Sequence, residues 1–214
     1  MSFPDFHHHH KNTSNGVYNL CFNEEITDRF FSVGIHPADA RNSEDHIQKL
    51  EFLAALPNCA AIGECGLDAL VPVEQTIQEE VFARQIALAN QLKKPLIIHC
   101  VRRFQELISF RKMAEVPMII HGFNKKQTVA DEMLQHNFHL SFGRALLQNV
   151  SLQETFRKVP DDRFFLETDD TVFNIRTLYE KAAELKECST EDILNQIFKN
   201  FQSVTNGKEL ARKN

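Results

Sequence analysis

Glycine and proline are scarce in this 214-residue chain, seven of each, which excludes collagen-like, elastic and linker-rich architectures. No uninterrupted apolar run approaches the roughly 18–20 residues of a membrane span. The opening residues, MSFPDFHHHH, have neither a basic start nor an apolar core, so no secretory signal is expected. The cytosol is the expected compartment. Five cysteines (Cys21, Cys59, Cys65, Cys100 and Cys188) are odd in number and show no CxxC spacing. That argues against a disulfide framework or a cysteine zinc knuckle. Basic excess is lacking too, since 24 Lys and Arg stand against 29 Asp and Glu for a net charge of -5. Bulk charge therefore does not hold this chain on nucleic acid, although bound divalent cations can supply positive charge locally. Nothing in the composition calls for a membrane or an obligate protein partner.

What is present is an ordinary globular balance, 43% apolar and 25% charged, at a length that suits one domain over 1–214. Eight short apolar runs recur, at residues 3–9, 17–22, 30–36, 60–67, 95–100, 117–122, 138–143 and 164–169. From the third onward most gaps hold a segment of helical period. Residues 43–56 begin with Ser43 as N-cap and Glu44 and Asp45 behind it. Residues 73–92 put Ile77, Val81, Phe82, Ile86 and Ala89 on one face. Thr190, followed by Glu191 and Asp192, opens the last helix. Eight strands alternating with helices predict an α/β fold, a TIM-type barrel. Its N-terminal third is distorted or shortened, because the gaps around residues 17–22 cannot hold crossover helices. A parallel crossover takes about a dozen residues, so residues 17–22 are expected to run antiparallel, with Asn15-Gly16 as the turn.

The ionisable residues fall at strand ends. Reading each run to its C-terminal end gives His7 and His9, then His36, Glu64, His99, His121 and Asp169. In a barrel those ends share the rim where active sites are built. Residues two apart on a strand share a face, so His7 and His9 point at one centre and Asp5 joins their row. Four of these imidazoles with Glu64 and Asp169 suit zinc, manganese, iron or nickel. Six ligands exceed one tetrahedral ion and fit two sharing a carboxylate about 3.5–4 Å apart. Such ions activate a water and polarise a phosphoryl or carbonyl oxygen.

At these residues the sequence resembles the TatD family of metal-dependent deoxyribonucleases, within the amidohydrolase superfamily. The stretches that carry the likeness are DFHHH, SVGIHP, AIGECGLD, QIALANQLKKPLIIHC, IIHGF, LSFG and FLETD. The resemblance implies that His7 and His9 hold a first metal, His99 and His121 a second, and Glu64 bridges them. Asp169 would bind the first metal and serve as general base, which makes Glu64 and Asp169 the catalytic carboxylates. His36 would sit by the substrate phosphate. Family enzymes trim DNA ends with magnesium, manganese or zinc, so two divalent ions (Zn, Mg or Mn) and a DNA or small phosphoester substrate are implied. The chain departs from the family pattern in its short first βα units and in the short stretch between Asp170 and the helix at Phe173. Val101 occupies the position of a family arginine, with Arg102 and Arg103 following.

Plainer readings stand beside these. The run His7 to His10 could be a tag remnant, but it lies behind Asp5 and Phe6 instead of at the terminus. Asp68 and Glu167 read, like Asp5, as partners that orient a histidine or arginine. Arg102, Arg103, Lys125 and Arg144 follow strands and are the candidate phosphate contacts. Cys65 and Cys100 point away from the centre, and Phe22, Phe30 and Phe31 read as core rather than base-stacking platforms. Two other functions remain open on the sequence: an amidohydrolase-like enzyme for a small phosphoester, amide or lactone, and a catalytically silent metal-binding domain.

Overall fold

The computed structural model describes residues 2–13 and 15–210. Eight strands, β1 Asp5–His8, β2 Gly16–Asn19, β3 Phe31–Val33, β4 Cys59–Asp68, β5 Leu96–Val101, β6 Met118–Ile120, β7 Phe138–Phe142 and β8 Phe164–Leu166, form one sheet in sequential order. Every pairing is parallel. The sheet closes where Asp169, just past β8, donates its N–H to His7 O at 3.0 Å and accepts from His9 N at 3.1 Å. The result is a TIM-type barrel, and its closing seam is itself part of the site.

The expected reversal of the second strand is wrong. Gly16 pairs with Asp5 and Tyr18 with Phe31, both in parallel register. The dozen-residue rule assumes a helix packed across the sheet. Here β1 and β2 have only four residues each, and at about 3.3 Å per residue a few extended residues recross that span. The two connections are held by polar contacts instead of an amphipathic helix. Tyr18 Oη donates to Glu24 at 2.8 Å, Lys11 pairs with Glu24 at 2.7 Å, and Arg29 donates to Thr13 O at 2.5 Å.

Elsewhere the helical periods are realised as α1 Ser43–Ala55, α2 Gln75–Leu92, α3 Phe104–Arg111, α4 Gln127–Gln135, α5 Val150–Lys158, α6 Ile175–Lys186 and α7 Thr190–Val204. One cap shifts by one residue, while α7 opens at Thr190 as expected. Asn42, not Ser43, is the N-cap of α1, and Ser189 caps α7 in a reciprocal capping box with Asp192. In α2, Val81, Phe82, Ile86 and Ala89 are buried as their spacing requires. The same face buries two glutamines that fix strand ends. Gln85 bonds the N–H and C=O of Ile35 at 2.8 and 3.0 Å, next to His36. Gln78 does the same for Asp68 at 2.8 and 3.0 Å. Among the described residues no helix is long and apolar enough to cross a membrane.

Candidate metal centre

The strand ends bring His7, His9, His36, Glu64, His99, His121 and Asp169 together at one mouth. Glu64 is the hub. Its Oε2 lies 3.6 Å from both His7 Nε2 and His9 Nε2. Its Oε1 lies 2.8 Å from His99 Nδ1, 2.8 Å from His121 Nε2 and 3.7 Å from His36 Nε2. Asp169 Oδ1 completes the first side, 3.7 Å from His7 Nε2 and 3.5 Å from His9 Nε2. The ligand-type atoms fall into three overlapping groups, each within 4.8 Å: His7–His9–Asp169, His7–Glu64–His121 and His36–Glu64–His99. His36 therefore stands with the imidazoles around Glu64, as its strand-end position suggests, where the family resemblance implied a place by the substrate phosphate.

Two glycines let Glu64 reach this position. A Cβ on Gly63 would lie 2.4 Å from Ile97 O, and one on Gly66 would lie 2.1 Å from His99 O. Both residues also have positive φ. Only glycine lets β4 approach β5 closely enough to set the carboxylate against His99. Asn19 steadies the same segment by accepting from Glu64 N–H at 3.2 Å. Neither feature was recognised from sequence, where Gly63 and Gly66 were only part of the motif AIGECGLD.

The supporting residues are also located. Asp68 Oδ2 lies 3.0 Å from His99 Nε2. Glu167 accepts from Gly122 N at 2.5 Å and from Ser141 Oγ, and its Oε1 lies 3.6 Å from His121 Nδ1. Asp5 binds the N–H and hydroxyl of Thr168 at 2.9 and 2.5 Å, anchoring the segment that carries Asp169. Arg102 and Lys125 are exposed on the loops after β5 and β6, and Arg144 is exposed at the start of a short 3-10 helix after β7. Arg103 is turned to Glu106 of α3 at 3.0 Å. Cys65 is fully buried and Cys100 partly so.

The donor set can be tested against a metal. His7 is fully buried, and its Nε2, which faces Glu64 at 3.6 Å and Asp169 at 3.7 Å, has no hydrogen-bond partner. A buried polar atom without a partner is costly. A cation among imidazoles and carboxylates removes that cost, and this donor set suits divalent ions.

Electrostatics agree. Burial works to raise the Glu64 carboxyl, but His121, with His7 and His9, outweighs it and holds the carboxyl far below the usual range. Asp169 is likewise lowered against its burial, chiefly by His9 and then by His121 and His7. The hydrogen bonds of His9 to Asp169 and Glu64 raise it to about 9. His121 is also raised, because Glu64 and Glu167 outweigh its burial. In the metal-free protein, protons on the imidazoles thus balance the carboxylates at neutral pH, and a cation must displace them. Titrating Mn2+ or Zn2+ in two buffers of different ionisation enthalpy at pH 7.5 should therefore show release of at least about one proton. Apparent affinity should rise as pH climbs through about 9. Buffer-independent heats would contradict this.

A parallel barrel with imidazoles and carboxylates gathered at its C-terminal mouth defines a metal-dependent hydrolase. The model of the TatD-related DNases matches residues 10–206, and the chain belongs to that family. It is 32% identical over 211 residues to the uncharacterized metal-dependent hydrolase YabD of Bacillus subtilis, covering 89% of this chain and 80% of that one. It is 31% identical over 145 residues to YcfH of Escherichia coli K12, covering 65% of this chain and 54% of that one, about half the relative's length. It is 28% identical over 179 residues to the 3'-5' ssDNA/RNA exonuclease TatD of Musicola paradisiaca, covering 78% and 67%. A crystal structure of a TatD homologue from Escherichia coli K12 superposes with a TM-score of 0.82 at 18% identity, over 96% of this chain and 98% of that one.

Proposed function

We propose that this protein hydrolyses phosphodiester bonds of single-stranded nucleic acid in the cytosol, with two divalent cations (Mn, Mg or Zn) at the barrel mouth. The observation that carries this reading is the division of Glu64 between two sets of imidazoles, with Asp169 on one side only. On this reading His7, His9 and Asp169 hold one cation, His99 and His121 hold the other, and Glu64 bridges them. His36 stands close enough to Glu64 to share in the second site or to face the substrate. Bound there, the cations would lower the pKa of water and polarise a phosphoryl oxygen.

The chain's own residues do the rest. Asp169 stays ionised at neutral pH and is half-exposed at the mouth, so its carboxylate can accept the proton of the attacking water. Thr168 and Asp5 fix its backbone, and Asp68 and Glu167 orient His99 and His121. Arg102, Lys125 and Arg144 contact the flanking backbone, and Arg103 can join them by releasing Glu106. The nucleic-acid substrate is supported by what the Musicola relative is named for, cutting single-stranded DNA and RNA.

Metal-stripped protein reloaded with Mn2+ and given a single-stranded oligonucleotide tests this directly. Turnover that EDTA abolishes is expected. Cleavage of small amides or lactones, with none of the oligonucleotide, would contradict it. Lys125→Ala should raise KM with kcat unchanged and flatten the dependence of log KM on log salt by about 0.7. An unchanged slope would remove Lys125 from the substrate path.

A further inference from the structure

A cavity of about 320 Å3 opens beside the metal centre and is not used by the reading above. Its lining includes Asn19, Phe22, His36, Asp39, His46 and Glu64. Phe22, on the loop after β2, and His46, on α1, lie parallel, with ring centroids 4.6 Å apart and planes within 3°. Phe31 is fully buried, as a core residue should be. Phe22 is not: it is only half-buried, packing against the core while lining this cavity. Like Phe30, it packs against the core as expected, and it also faces this cavity.

Three features bear on what the cavity takes. Its volume is at the small end of the roughly 300–1,000 Å3 of small-molecule sites, enough for one base and its sugar and too little for a duplex. Phe22 and His46 stack on each other, so the pair leaves only an outer ring face free, and an aromatic face takes any nucleobase regardless of identity. The cavity shares His36 and Glu64 with the metal centre, so an occupant lies within one nucleotide of the reacting phosphate.

We propose that this cavity is a nucleobase subsite, in which one unstacked base of the substrate extends the Phe22–His46 stack from its outer face. It rests on the phosphodiesterase reading and narrows it. The enzyme would require an unpaired nucleotide next to the cleaved bond and would be indifferent to its sequence. A base held in a duplex would have to be extruded first, at a cost in unpairing and unstacking.

The test uses the full chain with Mn2+ and single-stranded oligonucleotides of one sequence, intact or abasic at one or the other terminal nucleotide. Removing the base at one of these positions should lower kcat/KM of the parent about tenfold. In Phe22→Ala that gap should close to within about threefold, while Phe22→Tyr should keep it, as expected when the two groups interact directly. His46→Ala should narrow it too, and carries the test if Phe22→Ala fails to fold by circular dichroism. An independent readout is 2-aminopurine at the same position, mixed with metal-free protein. Its fluorescence should be quenched by the parent and by Phe22→Tyr but not by Phe22→Ala. Equal cleavage of intact and abasic strands by the parent, or equal losses on both in Phe22→Ala, would overturn the subsite. Failure of the underlying reading looks different, with no strand cut by the parent under any divalent ion. Quenching without turnover would keep the subsite and reject the nuclease, and neither signal would reject both.

Discussion

Asp169→Asn is expected to lower kcat by about 10²–10⁴-fold, the range that a positioned acid or base contributes, while the barrel stays folded. The substitution is informative because of where Asp169 sits. Its φ is +56°, in the left-handed region that asparagine also tolerates. The backbone bonds to His7 O and His9 N do not involve its side chain. Asparagine therefore keeps the seam of the barrel and removes a charge, a proton acceptor and, on the proposed reading, the anionic ligand on the His7–His9 side, so kcat is read at saturating Mn2+. The measurement is kcat on a Mn2+-loaded enzyme beside a thermal melt. Retained activity would remove Asp169 from the chemistry. Equal losses of activity and of folded protein would make its role structural.

Glu64→Gln should have an effect of similar size through a different route, which a stability measurement detects without any substrate. A ligand at 100 times its Kd stabilises the folded state by about 2.7 kcal/mol. For a chain of this size that corresponds to roughly 5–10 °C in Tm. The parent should show such a shift on addition of Mn2+ or Zn2+. Glu64→Gln should lose most of it, since one carboxylate faces His7 and His9 with one oxygen and His99 and His121 with the other. Without the cation the same substitution removes the main partner of His121, so His121 should titrate at lower pH. The sign is fixed. A raised imidazole adds stability to the metal-free fold below its unfolded pKa near 6.5, and that stability is lost as pH rises through the folded value. The metal-free parent should therefore gain stability on acidification towards pH 6.5, and the variant should gain less. A full metal-induced shift in Glu64→Gln would contradict the bridging role.

Much of this was legible in the sequence, for a physical reason. The strands of a parallel barrel are buried on both faces and read as short continuous apolar runs, and a polar residue at the end of such a run is conspicuous. All eight strands lie where those runs are. His7, His9, Glu64, His99, His121 and Asp169, more than 160 positions apart at the extremes, meet at one mouth. The direction of β2 was missed because crossover length was judged by the helical case, and the polar clasp of Lys11, Tyr18, Glu24 and Arg29 has no period to read. Gln78 and Gln85 were missed because a glutamine on an apolar helix face gives no sign that it will bind a strand's backbone. Gly63 and Gly66 were missed because their need is a distance to Ile97 and His99, residues far along the chain. Phe22 packs against the core as its apolar run suggests, but an aromatic in such a run has no mark that another side faces a cavity.

Anomalous diffraction from crystals grown with Mn2+ or Zn2+ tests the central claim most directly. The account predicts peaks at the barrel mouth within bonding distance of Glu64, flanked by His7, His9 and Asp169 on one side and His99 and His121 on the other. Peaks only on the outer surface, or none at a metal concentration that supports turnover, would contradict it.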